Sequence, residues 1–353
     1  MPALPVWREP VRGGHPTRDL EHRSGLERLR AQLNGDDFPS PPLFHLTGVR
    51  MVEVGLGSAA FEMPLTGWLL SPQGAISVGP LAIPADAALA LAVLSTLPPG
   101  GSLTTSELSL RVLAPARPGG LVIARGSLLH ARRTIALSEA TLTDEHGRLL
   151  AHGTSLVFIT PSDDATPPRE PEGPRSPPAP PPAAPDTPDP WQRPPAGEVL
   201  EQATWDRISG LDALQAMIAG ELPKAPIHYL TGIEARAAAE GEVTFAMPAT
   251  RWLCAPPPGR LQGGTVALIA ETAASAAIQT TLPAGTALAP VDLKVNYLRP
   301  AAADGRELLA SGRVMHRGRR TAVATSEVVD ADGRRVALAT ASAMVLPGRP
   351  AAL

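Results

Sequence analysis

The sequence predicts an α+β protein built from two copies of one unit, each a long helix packed on an antiparallel sheet. Two observations predict it. The chain repeats itself at an offset of about 185 residues, and each repeat holds one apolar stretch of helical length followed by runs of strand-like alternation. With 353 residues, 44% of them hydrophobic, there is material for two cores.

The repeat is read directly. GLERLRAQLNGDDFPSPPLFHLTGV from Gly25 answers GLDALQAMIAGELPKAPIHYLTGI from Gly210, and the stretch from Trp68 answers that from Trp252 with one single-residue gap. ELSLRVLAP at Glu107 then answers DLKVNYLRP at Asp292, and His130 to Arg148 answers His316 to Arg334. The predicted organisation is an N-terminal tail over 1–18, a first domain over 19–160, a linker over 161–197 and a second domain over 198–348. Residues 161–195 hold 15 of the 41 prolines and almost no large apolar side chain, a composition that favours polyproline II or disorder and reads as a tether.

Each copy opens with a short helix, Leu26 to Leu33 or Leu211 to Ile218. Alternation in Val243, Phe245 and Met247, and in Val291, Leu293, Val295 and Tyr297, marks strands with one buried face. Asp144 to Gly147 and Asp330 to Gly333 are hairpin turns with glycine available for positive φ. From about Gly263 to Thr281 runs a helix of Ala, Thr and Ser with few large residues and no charged stripe, so a sheet can approach it closely from several sides. Its counterpart, the apolar run from Leu81 to Leu97, carries Pro84 and Asp86 and reads as a buried helix rather than a bilayer crossing.

Composition excludes several function classes. A single cysteine, Cys254, rules out an internal disulfide framework and a four-thiolate metal site, and no His or Cys set has ligand spacing, so neither metal nor other cofactor is expected. A net charge of −3 gives no basic field for nucleic acid or a membrane surface. MPALPVWREPVRGG has no apolar core of signal-peptide length, and a cytoplasmic chain is the expectation.

Glu271 is the one ionisable residue of the second helix, with Ser275 a turn further on the same face. A buried carboxylate costs free energy unless it is paired or used. Gln262-Gly263-Gly264 leads into that helix, where backbone N–H groups and the helix dipole can stabilise an oxyanion. A structural glutamate and a glycine-tolerant turn are the plain alternatives.

Taken together, Gln262-Gly263-Gly264 with Glu271, VDLKVNYLRPA from Val291, and GRRTAVATSEVVDADGRRVALATASAMV from Gly318 resemble the hotdog-fold acyl-CoA thioesterases of the phenylacetate-pathway (PaaI-like) group. The resemblance covers nearly all of the second copy and, more faintly, the first. It implies two hotdog domains in tandem that hydrolyse an acyl-CoA, with the Gly263 N–H polarising the carbonyl, Glu271 activating water or attacking as nucleophile, Gln262 donating near the carbonyl and Ser275 helping to place the water. It also implies that Arg299, Arg317, Arg319 and Arg320 hold the nucleotide end of CoA, against the plain reading of a solvated arginine-rich strand edge.

Eight helical residues separate Gly263 from Glu271 by about 12 Å, too far to act on one carbonyl. A site therefore needs the glycine of one helix and the acid of another, and intrachain pairing of the copies, with further homodimerisation, is the expectation. Matching Gly79 with Gly263 and Asp86 with Glu271 gives two composite sites, one joining Gly263 and Gln262 to Asp86 and one joining Gly79 to Glu271. Pro80 and Pro84 disturb the first copy: Pro84 suits a first helical turn, which would leave Gly79 outside the helix and make Asp86 a capping acid. The site on Gly263 is favoured if Asp86 reaches it. A non-catalytic acyl-CoA-binding or structural protein, and behind it a hotdog hydratase or dehydratase, are the alternatives.

Overall fold

The computed structural model describes residues 5–15, 22–35, 39–160 and 187–351. The first half contains helices α1 (Gly25–Asn34), α2 (Pro42–Thr47) and α3 (Val78–Leu94) and strands β1 (Arg50–Gly55), β2 (Ser58–Pro64), β3 (Ser102–Val112), β4 (Leu121–Ala131), β5 (Ile135–Asp144) and β6 (Leu149–Thr160). The second half contains α4 (Gln202–Trp205), α5 (Gly210–Ala219), α6 (Pro226–Thr231) and α7 (Gly263–Gln279), with β7 (Glu234–Ala239), β8 (Glu242–Pro248), β9 (Thr286–Tyr297), β10 (Glu307–Arg317), β11 (Thr321–Val329) and β12 (Arg335–Pro347).

All twelve strands form one antiparallel sheet in the order β1-β2-β4-β5-β6-β3-β9-β12-β11-β10-β8-β7. Each half has the same internal order, and the halves join edge to edge where β3 pairs with β9, from Glu107 opposite Asn296 to Arg111 opposite Asp292. This pairing satisfies the backbone of two strands that would otherwise be free edges. Both long helices lie against the sheet and against each other. Small residues permit the approach: a Cβ on Gly264 would fall 2.4 Å from the Ala82 carbonyl oxygen, and one on Gly126 would fall 2.3 Å from that of Ala88.

Local sequence accounts for most of the elements. Ser24 caps α1 through a capping box with Glu27. Gly147 and Gly333 take φ of 81° and 74° in the two expected hairpin turns. Val243, Phe245 and Met247 face the core as the alternation predicts. Val291 does not: a bulge between the pairs Asp292–Ser342 and Pro290–Ala343 breaks the alternation and leaves it 36% exposed.

Three expectations need correction. Pro84 lies inside α3 rather than in its first turn, since the helix starts at Val78 and Pro80 is the proline that occupies the first turn, where a missing N–H costs no helical bond. Asp86 is consequently the ninth residue of α3, as Glu271 is of α7, and is not a cap. The two helices thus superpose at an offset of 185, which matches Gly79 with Gly264, Val78 with Gly263 and Ser77 with Gln262; the one-residue gap falls in the loop before the helix.

The third concerns the expected tail and tether. Residues 161–186 lie outside the described residues, but 5–15 and 187–197 are seated, and they cross between halves. Trp7 lies against Gly232, which ends α6 of the second half, while Trp191 lies against Gly48, which ends α2 of the first. The Trp252 indole N–H donates to the Glu9 carbonyl, and the Trp68 indole N–H donates to that of Arg193. Glu9 and Arg193 then meet each other in a bidentate ion pair of 3.0 and 2.9 Å. His45 and Arg12 converge on Asp189 at 2.9 and 3.1 Å. The segment that leads into each copy is therefore held by the other copy.

Candidate active site

Antiparallel packing of α3 and α7 aims each helix N-terminus at the acid in the middle of the other. Gly263 and Asp86 come together, as do Gly79 and Glu271: a Cβ on either glycine would lie 2.9 Å from the facing carboxylate. The two arrangements differ in what else they hold.

At the Asp86 end, the Thr105 hydroxyl donates to Oδ1 at 3.2 Å and the Gly264 N–H to Oδ2 at 3.3 Å. Burial dominates these bonds and raises the Asp86 pKa to about 6. Gln262 does not point at a carbonyl position. Its Nε2 donates to the Ile83 carbonyl at 3.0 Å, leaving Oε1 buried without a partner. Tyr297, at the end of β9, donates its hydroxyl to the Gly263 carbonyl at 2.8 Å and fills the space beside it.

At the Glu271 end, Ser275 donates to Oε1 at 2.7 Å and Ser77 to Oε2 at 2.8 Å, with a further bond from the Gly79 N–H. The carboxylate is 1% exposed, and burial pushes its pKa above the ordinary range despite these three donors. A cavity of about 610 Å³ opens beside it. The cavity is walled by Ser77, Val78, Glu271 and Ser275, by α5 on one side, and by Val112, the counterpart of Tyr297, on the other. Tyr297 thus stands at the Gly263 end where Val112 stands at the cavity end. The cavity of about 610 Å³ thus lies beside Glu271, at the end of the helix pair opposite the Gly263–Asp86 pair that the sequence favours.

Sequence reasoning missed Ser77, because the gap was placed inside the helix. Counting back 21 residues from the shared Leu-Pro at Pro98 and Pro283 would have aligned Ser77 with Gln262. His228 is a further residue that the cavity brings in. This side chain lines the cavity at α6, where burial, helped by nearby Lys224, lowers its pKa to about 4 and keeps the imidazole neutral at physiological pH.

The arginines do not gather at one place. Arg299 follows β9, whereas Arg317, Arg319 and Arg320 lie at the β10–β11 turn, and the antiparallel order β9-β12-β11-β10 sets these at opposite ends of the sheet. None of the four lines the cavity; its cationic residues are Lys224 and Arg236, which share Glu234 at 2.5 and 3.4 Å. Among the described residues no helix is long and apolar enough to cross a membrane.

Each copy thus aims a helix N-terminus at a buried acid of the other. The sequence model of the thioesterase superfamily matches this chain twice, over residues 74–151 and 258–337, once in each half. A candidate esterase of Halobacterium salinarum is 31% identical over 128 residues, which is 35% of this chain and 83% of that protein. The chain belongs to the thioesterase superfamily and is in class a thioester hydrolase.

Solved structures extend the likeness across both halves. A hotdog-fold protein of unknown function from Alicyclobacillus acidocaldarius is similar over 87% of this chain and 98% of its own, with 15% identity and a TM-score of 0.50. A TesB protein from Mycobacterium avium subspecies paratuberculosis is similar over 92% and 100%, also with 15% identity and a TM-score of 0.50. An acyl-CoA thioesterase II from Mycobacterium marinum, 12% identical, covers 86% of this chain at a TM-score of 0.50. These show the hotdog fold.

Proposed function

We propose that the chain hydrolyses an acyl-CoA thioester at one composite site, made by Glu271 and Ser275 of α7 with Ser77, Val78 and Gly79 at the head of α3. In this reading each half is a hotdog unit with a central helix, residues 19–160 and 198–348, and the segments 5–15 and 187–197 are exchanged between them. The observation that carries the reading is the coincidence of a buried acid, a helix N-terminus and a cavity of about 610 Å³ at one end of the helix pair.

The chemistry follows from the donors present. The thioester carbonyl takes over the Gly79 N–H at the head of α3, which now reaches Glu271, and developing oxyanion charge is stabilised there by that donor and the helix dipole. Glu271, its basicity raised by burial, removes a proton from water as the water oxygen bonds to the carbonyl carbon. Ser77 and Ser275 hold the carboxylate in place. Collapse of the tetrahedral intermediate breaks the C–S bond, the CoA thiolate leaves and is protonated, and the free acid remains. Asp86, closed in by Thr105 and Tyr297, serves packing.

Release of free CoA thiol from a panel of acyl-CoAs tests the activity, and failure of folded protein to cleave any of them overturns it. A single turnover in H₂¹⁸O separates the two roles of Glu271. Label entering the product acid directly supports the base; label retained on Glu271 identifies a nucleophile.

A further inference from the structure

The two halves differ along the far side of their central helices in a way that assigns the acyl-binding direction. From Glu271 the cavity continues along α7 past Ser275 and Ala276 to Gln279, roofed by Leu214, Met217 and Ile218 of α5. At the matching positions of α3, offset by 185, Ala276 becomes Leu91 and Gln279 becomes Leu94, both packed against the core. The helices that roof the two grooves start equally close: a Cβ on Gly25 would fall 1.7 Å from the Leu94 carbonyl oxygen, and one on Gly210 would fall 1.9 Å from that of Gln279. Helix spacing is thus shared, and Leu91 stands in one groove where Ala276 leaves room in the other.

We infer that this groove under α5 is the acyl-chain channel and that the substrate carries a medium-length acyl group of about ten carbons. The inference rests on the thioesterase reading above. Length sets the limit. From Glu271 to Gln279 is eight residues, or about 12 Å at 1.5 Å per residue. A C–C bond of about 1.5 Å and a bond angle near 111° advance an extended chain by about 1.25 Å per carbon, so the channel takes roughly ten carbons. At its end Gly210 presses on the Gln279 carbonyl and closes it. The walls are mostly apolar, with Leu214, Met217, Ile218 and Ala276 beside Thr272, Ser275 and Gln279, while the cavity's other charged residues, Lys224, Glu234 and Arg236, come from the α5–α6 connection and β7.

The test is kcat/KM across straight-chain acyl-CoAs of two to sixteen carbons, for wild type, Ala276→Leu and Met217→Ala. Each buried methylene contributes about fourfold, so wild type climbs steeply to about ten carbons and then stops rising. Ala276→Leu blocks the channel five residues past the acid, about 7.5 Å along. It keeps butyryl-CoA turnover within threefold and lowers decanoyl-CoA turnover roughly 10²-fold, the worth of about four methylenes. Met217→Ala widens the roof without moving the closed end at Gln279, so the optimum stays near ten carbons.

A wild-type profile flat with length, or equal losses for butyryl- and decanoyl-CoA in folded Ala276→Leu, overturns the inference and gives this groove to another part of the substrate. An optimum moved beyond ten carbons in Met217→Ala overturns the length limit set at Gln279. Absence of hydrolysis at every length sinks the thioesterase reading instead. A thioether analogue of decanoyl-CoA, which cannot be cleaved, keeps the two failures apart: its affinity must fall in Ala276→Leu whether or not turnover is seen, and unchanged binding refutes the channel.

Discussion

Replacing the two central acids one at a time separates the working end of the helix pair from the closed one. Glu271→Gln keeps the shape of the side chain and an acceptor for the serines but removes the base, and loss of a positioned general base costs about 10² to 10⁴ in turnover, or roughly 3–5 kcal/mol of barrier. Asp86→Asn, beside Tyr297 and away from the cavity, is expected to keep turnover within threefold. Its effect is on stability. Burial lifts Asp86 to about 6 from an ordinary value of 3.8, so between these values the folded chain binds more protons than the unfolded one. Stability therefore falls as pH rises through that window, by roughly 3 kcal/mol in total, and above it the loss is complete. In Asp86→Asn this part of the slope disappears. Thiol release at pH 7.5 and urea unfolding from pH 4 to 7.5 read the two effects. Equal loss of turnover in both variants would refute the assignment of one working end, and an unchanged stability slope in Asp86→Asn would refute burial as the cause of the shift.

Three further outcomes follow from the geometry. The acid limb of kcat/KM has its midpoint above the ordinary glutamate range, because burial raises Glu271 and only its ionised form accepts a proton; a midpoint at or below 4.5 contradicts this. Gly264→Ala places a methyl group 2.4 Å from the Ala82 carbonyl oxygen, so α3 and α7 must separate, at a cost of about 1–3 kcal/mol and with loss of turnover as the Gly79 N–H withdraws from Glu271; thermal melts and thiol release check both. Glu9→Gln combined with Arg193→Met in a double-mutant cycle gives a coupling of about 1–2 kcal/mol by urea unfolding, and additive effects would show that the ion pair does not join the halves.

The duplication, the long helices and the hairpin turns were legible because each depends on local pattern: period, small side chains and a glycine where φ must be positive. Glu271 was legible for a related reason, as a lone acid in an apolar helix. What the sequence hid was set by contacts across the repeat. Where the single-residue gap falls is decided by the loop before Val78 and not by a local signal, and its placement moved Gly79 against Gly264 and concealed Ser77. The open end was hidden too. Tyr297 and Val112 look like ordinary strand residues, and only their placement beside opposite helix N-termini sets one at the Gly263 end and the other at the cavity end. Trp7 and Trp191 sit in proline-rich stretches whose composition signals disorder, yet each finds its partner on the other copy.

Joining the two units in one chain has a consequence for how such a protein can change. In a pair of identical subunits every position occurs twice, so a substitution that narrows one groove narrows both. Here Leu91 and Ala276, or Val112 and Tyr297, occupy equivalent places but are encoded separately, and the leading segments that each half lends to the other keep the two from parting. One half is thereby released to serve as scaffold while the other is free to be reshaped around a substrate.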